Sequence, residues 1–218
     1  MAIPFEELNK INPSHIIELF ELELTVGKHI ATGNPQGLPT IYRFHAGANL
    51  NSFSELIYRQ NSYQRVAVET QGFEKNSTGS LSRPTITFSN LGGIVRNPST
   101  GIARTMSDFL ANVNKVTPHN DLLGAKLTRK MPLASALDDG NFITGSNPSA
   151  SNPFNPNVDT SNGTDDRLRD EIFVIDRKAI ENRRVVQFEL TQAHDLENKL
   201  IPQRVVTRDI FPAVGTFA

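Results

Sequence analysis

Apolar and polar positions alternate with a period of two along much of this chain, and they switch to the period of a helix in one stretch. From Ile16 to Leu24 the residues IIELFELEL set Leu22 and Leu24 on one face against Glu21 and Glu23 on the other, which predicts a half-buried strand. Residues 40–47, TIYRFHAG, predict a second strand, and Tyr63 to Phe73, where Val66 and Val68 alternate with Ala67 and Glu69, a third. Between these two, residues 48–62 are rich in Asn, Ser and Gln with scattered apolar positions and predict no element. Leu123 to Met131 alternates cleanly, with Leu123, Ala125, Leu127, Arg129 and Met131 on one face, and it predicts a strand whose Lys126 and Lys130 face is solvated. Glu171–Asp176 and Val185–Thr191 predict a hairpin connected through residues 177–183, with Val186, Phe188 and Leu190 as its inward row. From Gly101 to Val116 the period changes: Ile102, Met106, Phe109, Leu110 and Val113 form one apolar stripe of an amphipathic helix. Pro98-Ser99-Thr100 supplies its cap and Thr117-Pro118 its end.

Breakers set the rest. Phe5, Leu8 and Ile11 make at most a short amphipathic turn, stopped at Asn12-Pro13, so residues 1–15 are expected to be an N-terminal arm. Gly27 to Pro39 reads as a loop. Residues 145–166, GSNPSASNPFNPNVDTSNGTDD, have almost no apolar anchor and are expected to be a flexible loop. Residues 200–218 carry Val205-Val206 and Ile210-Phe211 between charges, with Pro202, Pro212 and Gly215 as breakers, and read as a C-terminal arm. The expectation is a single domain over residues 1–218, mainly β, a barrel or sandwich with one helix near 101–116 and extended terminal arms.

Composition then removes whole classes of chemistry. The chain has 22 Lys and Arg against 23 Asp and Glu, net charge −1, and no clustered basic run, which argues against nucleic-acid binding. It has no Cys, so disulfides, thiolate metal sites and a Cys nucleophile are excluded. No segment approaches the roughly 18–20 apolar residues of a membrane span, and the N-terminus lacks a signal pattern, so a soluble protein without a signal peptide is expected.

No catalytic, cofactor-binding or metal residue is assigned. His15, His29, His45, His119 and His194 never fall at metal-ligand spacing and read as surface or loop histidines. Asp138-Asp139 and Asp165-Asp166 lack the spaced pattern of a calcium loop and read as solvated. Glu69, Glu74 and Glu189 read as acids on the wet face of a sheet rather than a hydrolase pair. Gly92-Gly93 lacks the rest of a phosphate loop. In Arg83-Pro84, the proline fixes φ at a strand entry and the arginine is free to pair with an acid on the same or a neighbouring chain. A glycan-binding β-sandwich would need Tyr42, Tyr58, Tyr63 and Phe53 as an exposed platform, and the absence of Trp weakens that alternative. A cell-wall hydrolase ranks third.

The run Gln71 to Val95 ties these elements to a family. Gly72-Phe73-Glu74, the turn-forming Asn76-Ser77-Thr78-Gly79, Ser82-Arg83-Pro84 and Thr85-Ile86-Thr87-Phe88 read as strand, loop, strand, and resemble the central signature of the phage minor tail protein L family. The resemblance extends to Ile17–Leu24, to Arg43-Phe44-His45-Ala46-Gly47, to Leu122–Lys130 and Asn141-Phe142, and to Ile175–Lys178, Glu189-Leu190 and Ile201-Pro202-Gln203-Arg204. Family members usually continue past that last segment into a domain whose four Cys bind an iron–sulfur cluster. Here Thr207-Arg208-Asp209-Ile210-Phe211 stands at the place of the first Cys without one, so no cofactor is expected. The resemblance implies a structural, non-enzymatic subunit of the tail tip of a long-tailed phage, assembled in the host cytoplasm. Its expected place is a ring joining the tail tube and distal tail protein to the central hub or fibre protein. Copies of itself, three favoured over six, are then its partners, with the tape-measure protein as a further neighbour. The arms and residues 145–166 would fold on assembly, each arm covering a neighbour's exposed strand edge.

Overall fold

A computed structural model describes residues 11–34, 39–47, 55–74, 83–91, 95–96, 103–142 and 167–192. Nine strands make one sheet: β1 (Leu19–Glu23), β2 (Ile41–His45), β3 (Glu55–Tyr58), β4 (Asn61–Arg65), β5 (Val68–Gln71), β6 (Thr85–Ser89), β9 (Lys126–Pro132), β10 (Arg167–Glu181) and β11 (Val185–Thr191). β7 (Val95–Arg96) and β8 (Ala103–Arg104) form a separate two-stranded pair. The mainly β expectation is borne out.

The sheet order β3-β4-β2-β1-β9-β10-β11-β6-β5 begins and ends on neighbouring pieces of chain, because β4 and β5 are separated only by Val66 and Ala67. Val66 N–H donates to His45 O of β2 at 2.9 Å, and Ser89 N–H of β6 donates to Ala67 O at 2.9 Å. The 61–71 segment therefore stitches β2 to β6, and the sheet closes into a barrel. All pairings are antiparallel except β2 with β4. The circuit returns to the 61–71 strand further along its length than it left, so the strands are strongly staggered, as closure of a small barrel requires. β10 bends around this stagger through register shifts at Leu168/Glu171, Ile175/Arg177 and Lys178/Ile180.

The alternating apolar rows fill the interior: Phe20, Leu22, Phe44, Val66, Ile86, Phe88, Leu127, Phe173, Ile175, Val186, Phe188 and Leu190 are all buried in one cluster. Phe20 stacks on Phe44 at 5.5 Å between centroids, Phe44 meets Phe88 at 5.4 Å and Phe88 meets Phe188 at 6.1 Å. β2 and β6 are not adjacent strands, so the Phe44–Phe88 contact crosses the lumen. The helix α1 (Met106–Asn114) lays Met106, Phe109, Leu110 and Val113 against one end of this cluster. The apolar stripe is as expected, but the helix is shorter than 101–116. Its N-cap is Thr105, whose Oγ1 accepts Asp108 N–H at 3.2 Å, and Ala103–Arg104 before it is strand.

Two expected connections are strand instead. β10 continues through Glu181, so the β10–β11 turn is only residues 182–184, closed by Asn182 Oδ1 on the N–H groups of Arg184 and Val185. Residues 55–58 and 61–62, read as patternless, form the β3–β4 hairpin. Its turn residues Arg59 and Gln60 have φ of 49° and 62°, the left-handed pair of a tight hairpin turn without the glycine that normally supplies it. Residues 1–10 of the N-terminal arm, the loop 145–166, the C-terminal arm 200–218, Phe53 and His194 lie outside the described residues. Among the described residues no helix is long and apolar enough to cross a membrane.

Candidate functional site

The barrel interior is packed rather than hollow. Its recess at the helix end, lined by Leu22, Tyr42, Phe44, Val66, Phe88, Met106 and Phe109, is a cavity of about 30 Å³. A small-molecule pocket is on the order of 300 Å³ or more. The described residues hold no group of three or more His, Asp or Glu placed to bind a metal. The 218 residues hold no Cys, so they do not fit an iron–sulfur cluster.

The outer wall over β1, β2 and β9 is neutralised, not a solvated basic face. The Glu21 carboxylate accepts from Tyr63 Oη at 2.7 Å and Arg43 Nε at 3.2 Å, and pairs with Lys130 Nζ at 2.8 Å. Burial alone would push Glu21 up, but the bonds from Lys130, Tyr63 and Arg43 outweigh it and hold the carboxyl below its ordinary value. Burial and the bond to Glu21 push the Tyr63 phenol far up. Glu23 pairs with Lys126 across the same two strands at 2.9 Å. Each acid of the β1 outward row thus meets a base of the β9 outward row, which fixes their register.

Below this wall the β3–β4 hairpin is held by residues far along the chain. Asn141 is fully buried; its Oδ1 accepts Ile57 N–H at 2.7 Å, and its Nδ2 donates to Ile57 O at 2.6 Å and Asp138 O at 2.8 Å. The amide side chain imitates a pairing strand on the outer edge of β3. Asp138 accepts the N–H groups of Arg59 and Gln60 at 3.0 and 2.7 Å, and so stabilises the left-handed turn. Asp138 is therefore a structural clamp and not a solvated acid. Tyr58 and Tyr63 are each 1% exposed and Tyr42 packs edge-on against Phe109, so the three tyrosines form no exposed platform for a glycan.

Two histidines read as surface residues are buried. His29 accepts Thr25 N–H at Nδ1 and its Nε2 lies 3.0 Å from Leu123 O, which makes it a neutral imidazole with the proton on Nε2. His45 is fully buried at the end of β2, and neither ring nitrogen has a hydrogen-bond partner among the described residues. His15 and His119 are exposed. Glu69 and Glu74 lie on exposed positions, and Glu189 pairs with Arg177 at 2.8 Å, as acids on a wet sheet face should. Arg83 reaches Asp176 of the same chain at 3.7 Å, and Pro84 O accepts Leu190 N–H at the entry of β6.

The two barrel ends differ. One is capped by α1 and knotted by Lys178, which pairs with Asp121 at 2.8 Å and bonds Glu181, while Ser107 Oγ donates to Glu181 at 2.7 Å. The opposite rim carries Arg129, which belongs to the inward row of β9. Arg129 reaches Glu171 at 2.9 Å through Nη1 and Glu18 through Nη2, and lies 4.8 Å from the Phe73 ring centroid. Phe73 in turn meets Phe173 edge-on at 5.1 Å. Arg83 and Arg167, the latter paired with Asp170 at 3.5 Å, stand at the same rim, so its charges are mixed. Described stretches begin or end at the same rim at Gly47, Glu74, Arg83, Arg167 and Gln192. The rim is thus where most of the chain outside the barrel is attached, and it is the candidate interaction surface.

A family model described as phage minor tail protein L matches residues 36–214, which is most of the chain. The Tail tip protein L of Escherichia phage lambda is 33% identical over 88 residues, 40% of this chain. That match spans only 31% of the lambda protein's length.

Proposed function

The chain belongs to the phage minor tail protein L family, a family of virion tail proteins, and from that premise we propose that it is a structural subunit of the tail tip of a long-tailed phage. In this reading copies form a ring, three rather than six, that joins the tail tube and distal tail protein to the central hub or fibre protein. The observation that carries it is the polarised build of the barrel. The lumen is lined with phenylalanine, one end is capped by α1, and at the other rim several described stretches begin or end. A body of this kind, with a packed interior among the described residues and chain ends collected at one rim, suits a link in a closed assembly.

The test is genetic and structural together. A phage with a stop codon early in this gene should make tubes without complete tips, visible by negative-stain electron microscopy, and plasmid-supplied protein should restore them. Cryo-EM of the restored tips should show the chain as a ring of three around the axis. Normal tips in the absence of the chain, or a restored chain absent from the tip, would refute the reading.

A further inference from the structure

At the barrel end capped by α1, two loops meet on a buried histidine. The first is the turn 25–30 after β1, wound on Thr25 O, which accepts the N–H groups of His29 at 2.8 Å and of Lys28 and Ile30 at 3.3 Å. The second, 117–124, joins α1 to β9 and holds His119, Asp121 and Leu122 at φ of 58°, 46° and 65°, a sparsely populated backbone for residues with a side chain. His29 spans the two. Thr25 N–H donates to its Nδ1 at 3.0 Å, its Nε2–H donates to Leu123 O at 3.0 Å, and the ring is fully buried. One nitrogen must accept and the other must donate, and an imidazole does both only when neutral. The 117–124 loop has further fastenings: Asn114 and Lys178 bond Asp121 at 2.7 and 2.8 Å, and Gly124 N–H donates to Ile175 O at 2.8 Å. The 25–30 turn is therefore the piece that His29 holds down. Leu24 and Ile30 at its ends, with Leu122 of the facing loop, belong to the barrel core and are at most 3% exposed.

We infer that these two bonds form a proton-operated latch: an imidazolium at His29 frees the 25–30 turn from the 117–124 loop and opens the capped end of the barrel while the sheet stays paired. The added proton has to go on Nδ1, where it meets Thr25 N–H, donor against donor. The charges around the ring do not offset it. On the same turn stands Lys28, whose Nζ lies 2.5 Å from the point where a Cβ on Gly124 would be, so a second cation reaches the facing loop. On that loop His119 is exposed, and Asp121 is engaged by Lys178 and Asn114. At the adjoining ends of β1 and β9, Glu23 and Lys126 pair with each other at 2.9 Å. Burial, and then Lys28, hold the closed ring below the ordinary histidine value, against the opposite pull of Leu123 O and the buried Asn120 side chain. In the opened turn the ring is in water and titrates at about 6.5. Closure is therefore at full strength above that value and weakens by up to about tenfold per pH unit below it, until the closed ring is protonated too.

The unmodified full-length chain supplies the first test, by NMR from pH 8 to 5. Protection of the Thr25 amide, corrected for the intrinsic pH dependence of exchange, should fall by up to about tenfold per unit below pH 6.5, in step with the His29 ring signals. The Leu127 and Phe188 amides of the sheet should stay protected over the same range. His29→Gln can accept from Thr25 through Oε1 and donate to Leu123 O through Nε2 without titrating, so it should keep Thr25 protected down to pH 5. His45→Leu, which removes the other buried imidazole, should leave the Thr25 response as in the wild type. A Thr25 amide that stays protected to pH 5 in the wild-type chain overturns the latch, as does an acid response that survives His29→Gln or disappears in His45→Leu. Loss of protection at Thr25 and in the sheet at one and the same pH is unfolding of the whole, and it overturns the latch as well.

Discussion

Replacing Asn141 with leucine removes a side chain that acts as a strand. The two residues have similar size, so the change isolates the hydrogen bonds from the packing. Three bonds vanish, one from Ile57 N–H and two from the amide to Ile57 O and Asp138 O. A typical bond contributes about 0.5–1.5 kcal/mol net, and a buried backbone group left unpaired costs about 1–3 kcal/mol. Asn141 is fully buried, so water does not replace it, and the expected loss is about 3–5 kcal/mol. That is a large share of the roughly 5–15 kcal/mol available to a domain. The loss should be local first. Asp138 still holds Arg59 and Gln60, but the outer edge of β3 opens, so amide exchange should accelerate at Ile57 ahead of β1 or β9. Urea unfolding followed by tryptophan-independent circular dichroism gives the global number, and hydrogen exchange by NMR gives the site. Asn141→Leu within about 1 kcal/mol of wild type, with Ile57 still protected, would refute the claim that this amide secures the hairpin.

Other expectations follow from the same structure. Phe44→Ala, at the centre of the lumen and 5% exposed, should cost about 3–5 kcal/mol in denaturant titration. Arg129→Met strands Glu171, whose side chain is 10% exposed, and should cost about 2–4 kcal/mol; Arg129→Lys should recover little of it, because one ammonium cannot bridge both Glu18 and Glu171. The buried histidines make stability fall with acid: His29 is held below its usual 6.5 by burial, offset by its bond to Leu123, and by Lys28, and His45 by burial and Arg65. The unfolded chain therefore protonates first, so stability is full above pH 6.5 and declines below it, by up to about 1.4 kcal/mol per pH unit per histidine, until the folded imidazoles protonate too. His45→Leu should remove one of these two proton steps in a series of urea titrations from pH 8 to 5.

The sequence pattern showed the walls of the barrel and not its joints. Rows such as Leu22 and Leu24 against Glu21 and Glu23, or Val186, Phe188 and Leu190, are written with a period of two because each strand has one face on the lumen and one on solvent. The α1 stripe was legible for the same reason at its own period. The β3–β4 hairpin was not, since Asn61 and Ser62 carry no apolar signal and Arg59-Gln60 is not turn chemistry; the turn is imposed by Asp138, some 80 residues away. A tertiary bond of that span leaves no local trace.

The same limit explains Arg129, the buried histidines and the choice between barrel and sandwich. Arg129 sits in an apolar row, yet alternation cannot tell that its row ends at a rim where Glu171 of β10 and Glu18, just before β1, arrive from other parts of the chain. His45 belongs to the outward row of β2, and only the tertiary packing buries it. Closure depends on one short segment changing partners at Val66 and Ala67, from β2 to β6. That exchange makes the barrel, and β5 then runs on past the last described pair of β2 with β4, His45 with Arg65. One strand that serves two neighbours in succession thus closes the wall, and no alternation of apolar and polar residues along Gln64 to Glu69 announces the change of partner.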